Sequence, residues 1–156
     1  MLVIKVKDFG TMKFELDERS APITVANMIK LANESFYDGL IFHRIISGFM
    51  IQGGDPNGNG TGGSKAETIG EFVDNGVDNK HMHKRGTISM ARAMDPNSAS
   101  SQFFICHEDC PFLDGQYAAF GDMVEGFEVL DKLANLQTGF NDMPIVPPVI
   151  EKVFVE

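Results

Sequence analysis

At 156 residues, 43% of them apolar and 22% charged, the chain has the size and mix of one compact domain covering residues 1–156, a composition that excludes a disordered or fibrous chain. Lys and Arg number 13 against 22 Asp and Glu, and the net charge of -9 repels nucleic-acid phosphates and anionic lipid headgroups, so neither nucleic acid nor membrane is expected as a partner.

The opening Met1-Leu2-Val3-Ile4-Lys5-Val6-Lys7 lacks the apolar stretch and cleavage site of a signal peptide, which predicts a cytoplasmic protein. Leu2, Ile4 and Val6 alternate, as do Met12, Phe14 and Leu16, with Asp8-Phe9-Gly10-Thr11 between them, so the chain should open on a β-hairpin. From Pro22 the period lengthens. Val25, Met28, Ile29 and Ala32 share one face of a helix, and Pro22 suits its first turn. Short apolar segments follow at Leu40 to Ile46, Met50 to Gln52, Thr87 to Ala91, Phe103 to Cys106 and Ala118 to Phe120. Phe127, Leu130, Leu133 and Ala134 predict a second helix between Gly126 and Gly139, and Val149 to Val155 a last strand.

Two helices cannot supply the crossovers of a parallel sheet with this many strands. The expected fold is therefore mainly β, an antiparallel barrel closed on itself and covered at its ends by two helices. The segment 53–85 is rich in Gly, Asn and Asp, and so long an excursion usually borders a functional site. Cys106 and Cys110 are too few for a disulfide framework and are expected as free thiols.

In Phe42-His43-Arg44-Ile45-Ile46, plain alternation would put Phe42, Arg44 and Ile46 on one face and His43 with Ile45 on the other. A cation among apolar neighbours either lays its stem over them with its head in water or serves a site. Phe49-Met50-Ile51-Gln52-Gly53-Gly54 follows after one turn. Ser101-Gln102-Phe103-Phe104-Ile105-Cys106 and Phe112-Leu113-Asp114-Gly115 add a second Gln and further large side chains.

These strings together resemble the cyclophilin family of prolyl isomerases, particularly its bacterial branch, over nearly the whole chain. The resemblance implies a closed eight-stranded antiparallel barrel with two capping helices. It implies an enzyme that accelerates rotation about X-Pro bonds in proline-containing peptides and in unfolded or folding proteins; no cofactor or metal is expected, and a monomer is the default expectation. Carried over by motif position, Arg44 becomes the catalytic cation and Gln52 orients it. Phe49, Met50, Phe104 and Leu113 wall the proline pocket, while Phe112 and Tyr117 complete its rim. Gln102 and the backbone at Ala91, Arg92 and Ala93 hold the substrate chain. Phe112 and Tyr117 stand where many eukaryotic members have Trp and His, Arg92 where Asn is usual and Ser47 where Pro is common, so cyclosporin binding is expected to be weak. Guanidinium stays charged across the physiological range, which predicts an isomerase rate nearly flat from about pH 6 to pH 8.

Other signals carry less. Gly58-Asn59-Gly60-Thr61-Gly62-Gly63 matches G-x-G-x-x-G, but no helix is predicted after it, and Ser64-Lys65 reverses a phosphate loop's order. Cys106-x3-Cys110 lacks a second pair, and His81-x-His83 would join it only if the fold allowed. No Gly-x-Ser-x-Gly elbow marks a hydrolytic nucleophile. The competing reading is a proline-peptide binding module or chaperone, which would use the same groove but have no need of Arg44 beside Gln52.

Overall fold

The first hairpin forms as predicted. In the computed structural model, which describes residues 1–156, β1 (Leu2–Val6) pairs antiparallel with β2 (Gly10–Leu16), Leu2 opposite Phe14 and Ile4 opposite Met12. Asp8 at φ 69° and Gly10 at φ 126° make the turn. Helix α1 (Pro22–Asn33) buries Val25, Met28, Leu31 and Ala32, and α2 (Phe127–Ala134) buries Leu130, Leu133 and Ala134. The other strands are β3 (Phe42–Ile46), β4 (Met50–Gly53), β5 (Thr87–Met90), β6 (Phe103–Cys106), β7 (Ala119–Glu125) and β8 (Ile150–Val155).

All eight strands form one sheet in the order β3-β4-β6-β5-β7-β2-β1-β8, and every pairing is antiparallel. The sheet curls until its edges meet, but the seam is narrower than full closure requires. It consists of one bridge, Ile41 with Val149, and flanking bonds such as Ile150 N–H to Leu40 O at 2.7 Å. α1 packs against β8, and α2 against β2, β3 and β4. Inward-facing Phe14, Phe42, Ile45, Ile51, Ile88, Phe103, Ile105 and Phe120 share one core.

Two local irregularities depart from the sequence expectations. Phe42 pairs with Gly53 and Arg44 with Gln52, so His43 is the extra residue of a β-bulge. The bulge shifts the phase of alternation, and the expected grouping of Phe42 with Arg44 is overturned. Phe42 joins Ile45 inside the barrel, with its ring 6.0 Å from Phe103, whereas Arg44 stays exposed and Ile46 packs with a separate apolar cluster. The segment Ala118 to Phe120 also extends further than expected, because Asp122 and Glu125 continue the ladder opposite β2.

The long excursion after β4 is tied down by buried polar groups. Glu71 accepts bonds from the N–H groups of Ile23 and Thr24 and from Thr24 Oγ1, satisfying the start of α1, whose own N-cap, Ala21, has no polar side chain. His81 bridges two carboxylates, with Nδ1 2.7 Å from Asp17 and Nε2 2.9 Å from Asp122. The bonds to Asp122 and then Asp17 outweigh burial and hold its pKa up at about 9. Because this lies above an unfolded value of roughly 6.5, the stabilisation is complete below about pH 6.5 and is lost as pH rises through 9. His81→Gln is expected to cost about 2 kcal/mol at pH 6, discounted because Asp122 is half exposed, with the difference from wild type shrinking by pH 10 in urea midpoints. A difference equal at both pH values would rule out the charged bridge.

Candidate active site

The separate apolar cluster lies on the outer face of the β3–β4–β6 sheet. Register places it: Arg44 opposite Gln52, Ile46 opposite Met50, Gln52 opposite Phe104, and Met50 opposite Cys106. Met50, Phe104, Cys106 and Cys110 are buried there, with Phe49, Ala91, Leu113 and Tyr117 packed over them. Both cysteines are free, and burial pushes both thiols up, so they act as core.

Above this floor is a pocket of about 150 Å³ lined by Arg44, Phe49, Met50, Gln52, Ala91, Arg92, Phe104, Leu113 and Tyr117. Every one of these is a residue predicted for the site. Of the remaining three, Phe112 lies at the rim, 62% exposed, its ring 5.7 Å from Phe49. Ala93 and Gln102 line an adjoining polar cleft of about 520 Å³ with the loop from Gly60 to Lys65.

The polar groups are arranged in a chain. Gln52 Nε2 donates to Gln102 Oε1 at 2.9 Å, and Gln102 Nε2 donates to Gly62 O at 2.8 Å. Arg44 takes no part: its guanidinium makes no hydrogen bond or ion pair, so its donors are free, and no bond joins it to Gln52. Arg92 is quite different. It stacks over Tyr117 at 4.7 Å and Phe72 at 4.9 Å and donates through Nη2 to Gln116 O at 2.7 Å, which holds its side chain against the rim. Neither the N–H nor the C=O of Arg92 has a partner, so a strand-like edge is left open beside the pocket.

The Gly-rich run that matched a dinucleotide pattern folds around its own carboxylate. Asp55 accepts N–H bonds from Asn57, Asn59 and Gly60 at 2.8, 3.1 and 2.6 Å. Burial opposes the charge of Asp55, yet these backbone donors outweigh it and hold the carboxyl below its usual range. The result fixes Gly62 where Gln102 can reach it.

Sequence reasoning missed His83 and Phe72. His83 stacks on the pocket wall Phe104, with ring centroids 5.9 Å apart, and is held by Asp114 at Nδ1 and Ser89 at Nε2. Burial lowers its pKa, and the same is true of His43 in the bulge, whose Nδ1 has no partner. The only cue to His83 was its spacing from His81, which suggested a metal rather than a brace. Phe72 was one apolar residue in an aperiodic segment and had no cue at all.

Comparison with known proteins identifies the family and the fold. The family described as cyclophilin type peptidyl-prolyl cis-trans isomerase/CLD matches residues 1–155. Peptidyl-prolyl cis-trans isomerase B of Bacillus subtilis (strain 168) is 46% identical over 134 residues, 83% of this chain and 87% of that protein. A peptidyl-prolyl cis-trans isomerase of Helicobacter pylori is 48% identical over 126 residues, 80% of this chain and 74% of that protein. A crystal structure of a Cryptosporidium parvum cyclophilin type peptidyl-prolyl cis-trans isomerase in the presence of the dipeptide Ala-Pro superposes with a TM-score of 0.91 at 34% identity, covering 99% of this chain and 98% of that one. Fold and relatives converge, and the chain belongs to the family of cyclophilin-type peptidyl-prolyl cis-trans isomerases.

Proposed function

We propose that this protein isomerises X-Pro bonds in peptides and in folding proteins, with proline seated between Phe49, Met50, Phe104 and Leu113 and Arg44 directed at the prolyl nitrogen. The observation that carries this reading is an unpaired guanidinium on the lip of a small apolar pocket.

An amide resists rotation because the nitrogen lone pair is delocalised into the carbonyl, with a barrier of roughly 18–20 kcal/mol. Twisting localises the pair on nitrogen and reduces charge separation, so an apolar surround and a donor aimed at nitrogen both favour the twisted state over the planar one. No bond is broken. Arg44 meets water in the free protein, and the arriving peptide dehydrates it, strengthening its interaction when the nitrogen becomes basic. Gln52, anchored by Gln102 through Nε2, leaves its Oε1 free, while the open backbone edge of Arg92 and the Ala91–Ala93 segment align the substrate chain.

The protein is expected to act as a monomer and to bind cyclosporin weakly, since Phe112 lacks the indole N–H of a tryptophan. The first test is the cis-to-trans relaxation of an Ala-Pro peptide. Acceleration supports the isomerase. Peptide binding without acceleration would favour a binding module.

The rate should also change less than about twofold between pH 6 and pH 8. Apart from the arginines and Tyr117, nothing titratable lines the pocket, and burial keeps the neighbouring His43 and His83 below the ordinary histidine range. A steep sigmoid near neutrality in kcat/KM would contradict the mechanism.

A further inference from the structure

The groove has two unlike wings. On one side of the pocket is the polar cleft of Gln102 and the Gly60–Lys65 loop, lined by Ser64, Glu67, Ser98 and Ser100. A second cleft, of about 800 Å³, shares Arg44 and Gln52 with the pocket and runs past Asn59, Asn141 and Asp142 to Phe140, Met143 and Ile145. Phe140 is 88% exposed, Ile145 60% and Val146 80%, so three large apolar side chains meet water within seven residues.

Their display is built into the backbone. Gly139 N–H donates to Met143 O at 2.8 Å and Ile145 N–H to Gln137 O at 3.0 Å, while Thr138 bridges Pro144. Asn141 and Asp142, at φ 56° and 57°, turn the tip of this small hairpin. A ladder that holds a phenylalanine in water forgoes its burial in the free protein, and the same ladder pre-pays its ordering for a ligand. Because Arg44 and Gln52 line both this cleft and the pocket, the strip is within reach of a peptide whose proline sits in the pocket.

We propose that the Phe140–Val146 strip is a subsite for a large apolar or aromatic side chain of the same substrate, placed on one side of the proline only. The favoured substrates are then X-Pro segments with a bulky apolar residue on one flank and polar residues on the other. This rests on the isomerase reading for the seat of the proline.

The test uses Ala-Pro peptides carrying a single Phe at either of the two positions before or the two positions after proline, with binding measured by calorimetry and turnover by relaxation rate. Phe on one flank should tighten Kd and lower KM about five- to tenfold relative to Ala, and Phe on the other flank less than twofold. In Phe140→Ser, and in Phe140→Ser with Ile145→Ser, that ratio should fall below about two. Val124→Ser, on exposed β7 surface, should keep it. A wild type without flank preference, or a preference that survives both variants, overturns the proposal. So does a concentration-dependent dimer in sedimentation that the variants abolish while peptide preference is absent, since the strip's occupant would then be a second copy. Flank-selective binding without acceleration of any peptide would sink the isomerase reading alone.

Discussion

Arg44→Ala is expected to lower kcat/KM for an Ala-Pro peptide about a hundredfold, with peptide Kd changed less than about threefold and the urea midpoint close to wild type. The magnitude follows from a donor that the bound peptide dehydrates and that acts mainly on the twisted amide, worth roughly 3 kcal/mol. The selectivity for rate over binding follows from chemistry: the planar amide nitrogen is a poor acceptor, so the guanidinium gains little before the twist. The small effect on stability follows from the absence of any ion pair or hydrogen bond to Arg44 in the folded chain. Arg44→Lys should fall between the two, because an ammonium retains charge without the planar fork. Equal loss of binding and rate in Arg44→Ala would recast the residue as a ligand for the substrate backbone. An unchanged rate would remove it from the mechanism.

What was legible in the sequence was the wording of the strands that face the site. Phe49-Met50 and Gln102-Phe104 occupy the positions expected of them, because tight antiparallel pairing of β4 with β6 brings Gln52 opposite Phe104 without irregularity. The hairpin and both helices were legible for a similar reason, their apolar periods being uninterrupted. Three features were not. A bulge leaves no reliable mark in sequence, so the phase of Phe42 against Arg44 came out wrong, although the bulge is what aims Arg44 outward while Phe42 fills the core. The far half of β7 contains Gly121, Asp122 and Glu125, residues that disfavour strands in isolation and are held there by pairing with β2 and by the His81 bridge. The order of segment 54–86 depends on contacts across large sequence separations, Glu71 to Thr24 and His83 to Asp114, which no local pattern encodes.

Gly54→Ala is expected to destabilise the protein by more than about 4 kcal/mol, enough to deplete the folded state, whereas Gly48→Ala should cost only about 1 kcal/mol. The two glycines have nearly the same backbone, φ +89° and +81°, so both substitutions incur the same modest penalty for a side chain in the left-handed region. They differ in space. A Cβ on Gly48 would meet nothing within 4 Å. On Gly54 it would lie 2.6 Å from the carbonyl oxygen of Ser101 and 2.9 Å from the Tyr37 ring, and neither can retreat. Tyr37 is fully buried, edge-on to Phe103, and its hydroxyl donates to that same Ser101 carbonyl at 2.8 Å, while Ser101 Oγ donates to Gly54 O at 2.7 Å. Relief of the clash would therefore break a closed set of buried bonds and displace Ser101, whose neighbour Gln102 anchors Gln52. Urea midpoints of the two variants measure the difference directly, and residual isomerase activity per folded molecule reports on the site. If Gly54→Ala were no worse than Gly48→Ala, the close approach of these two chain segments would not be what holds the loop against the barrel. The Gln52–Gln102 pair would then owe its position to the β4–β6 ladder alone.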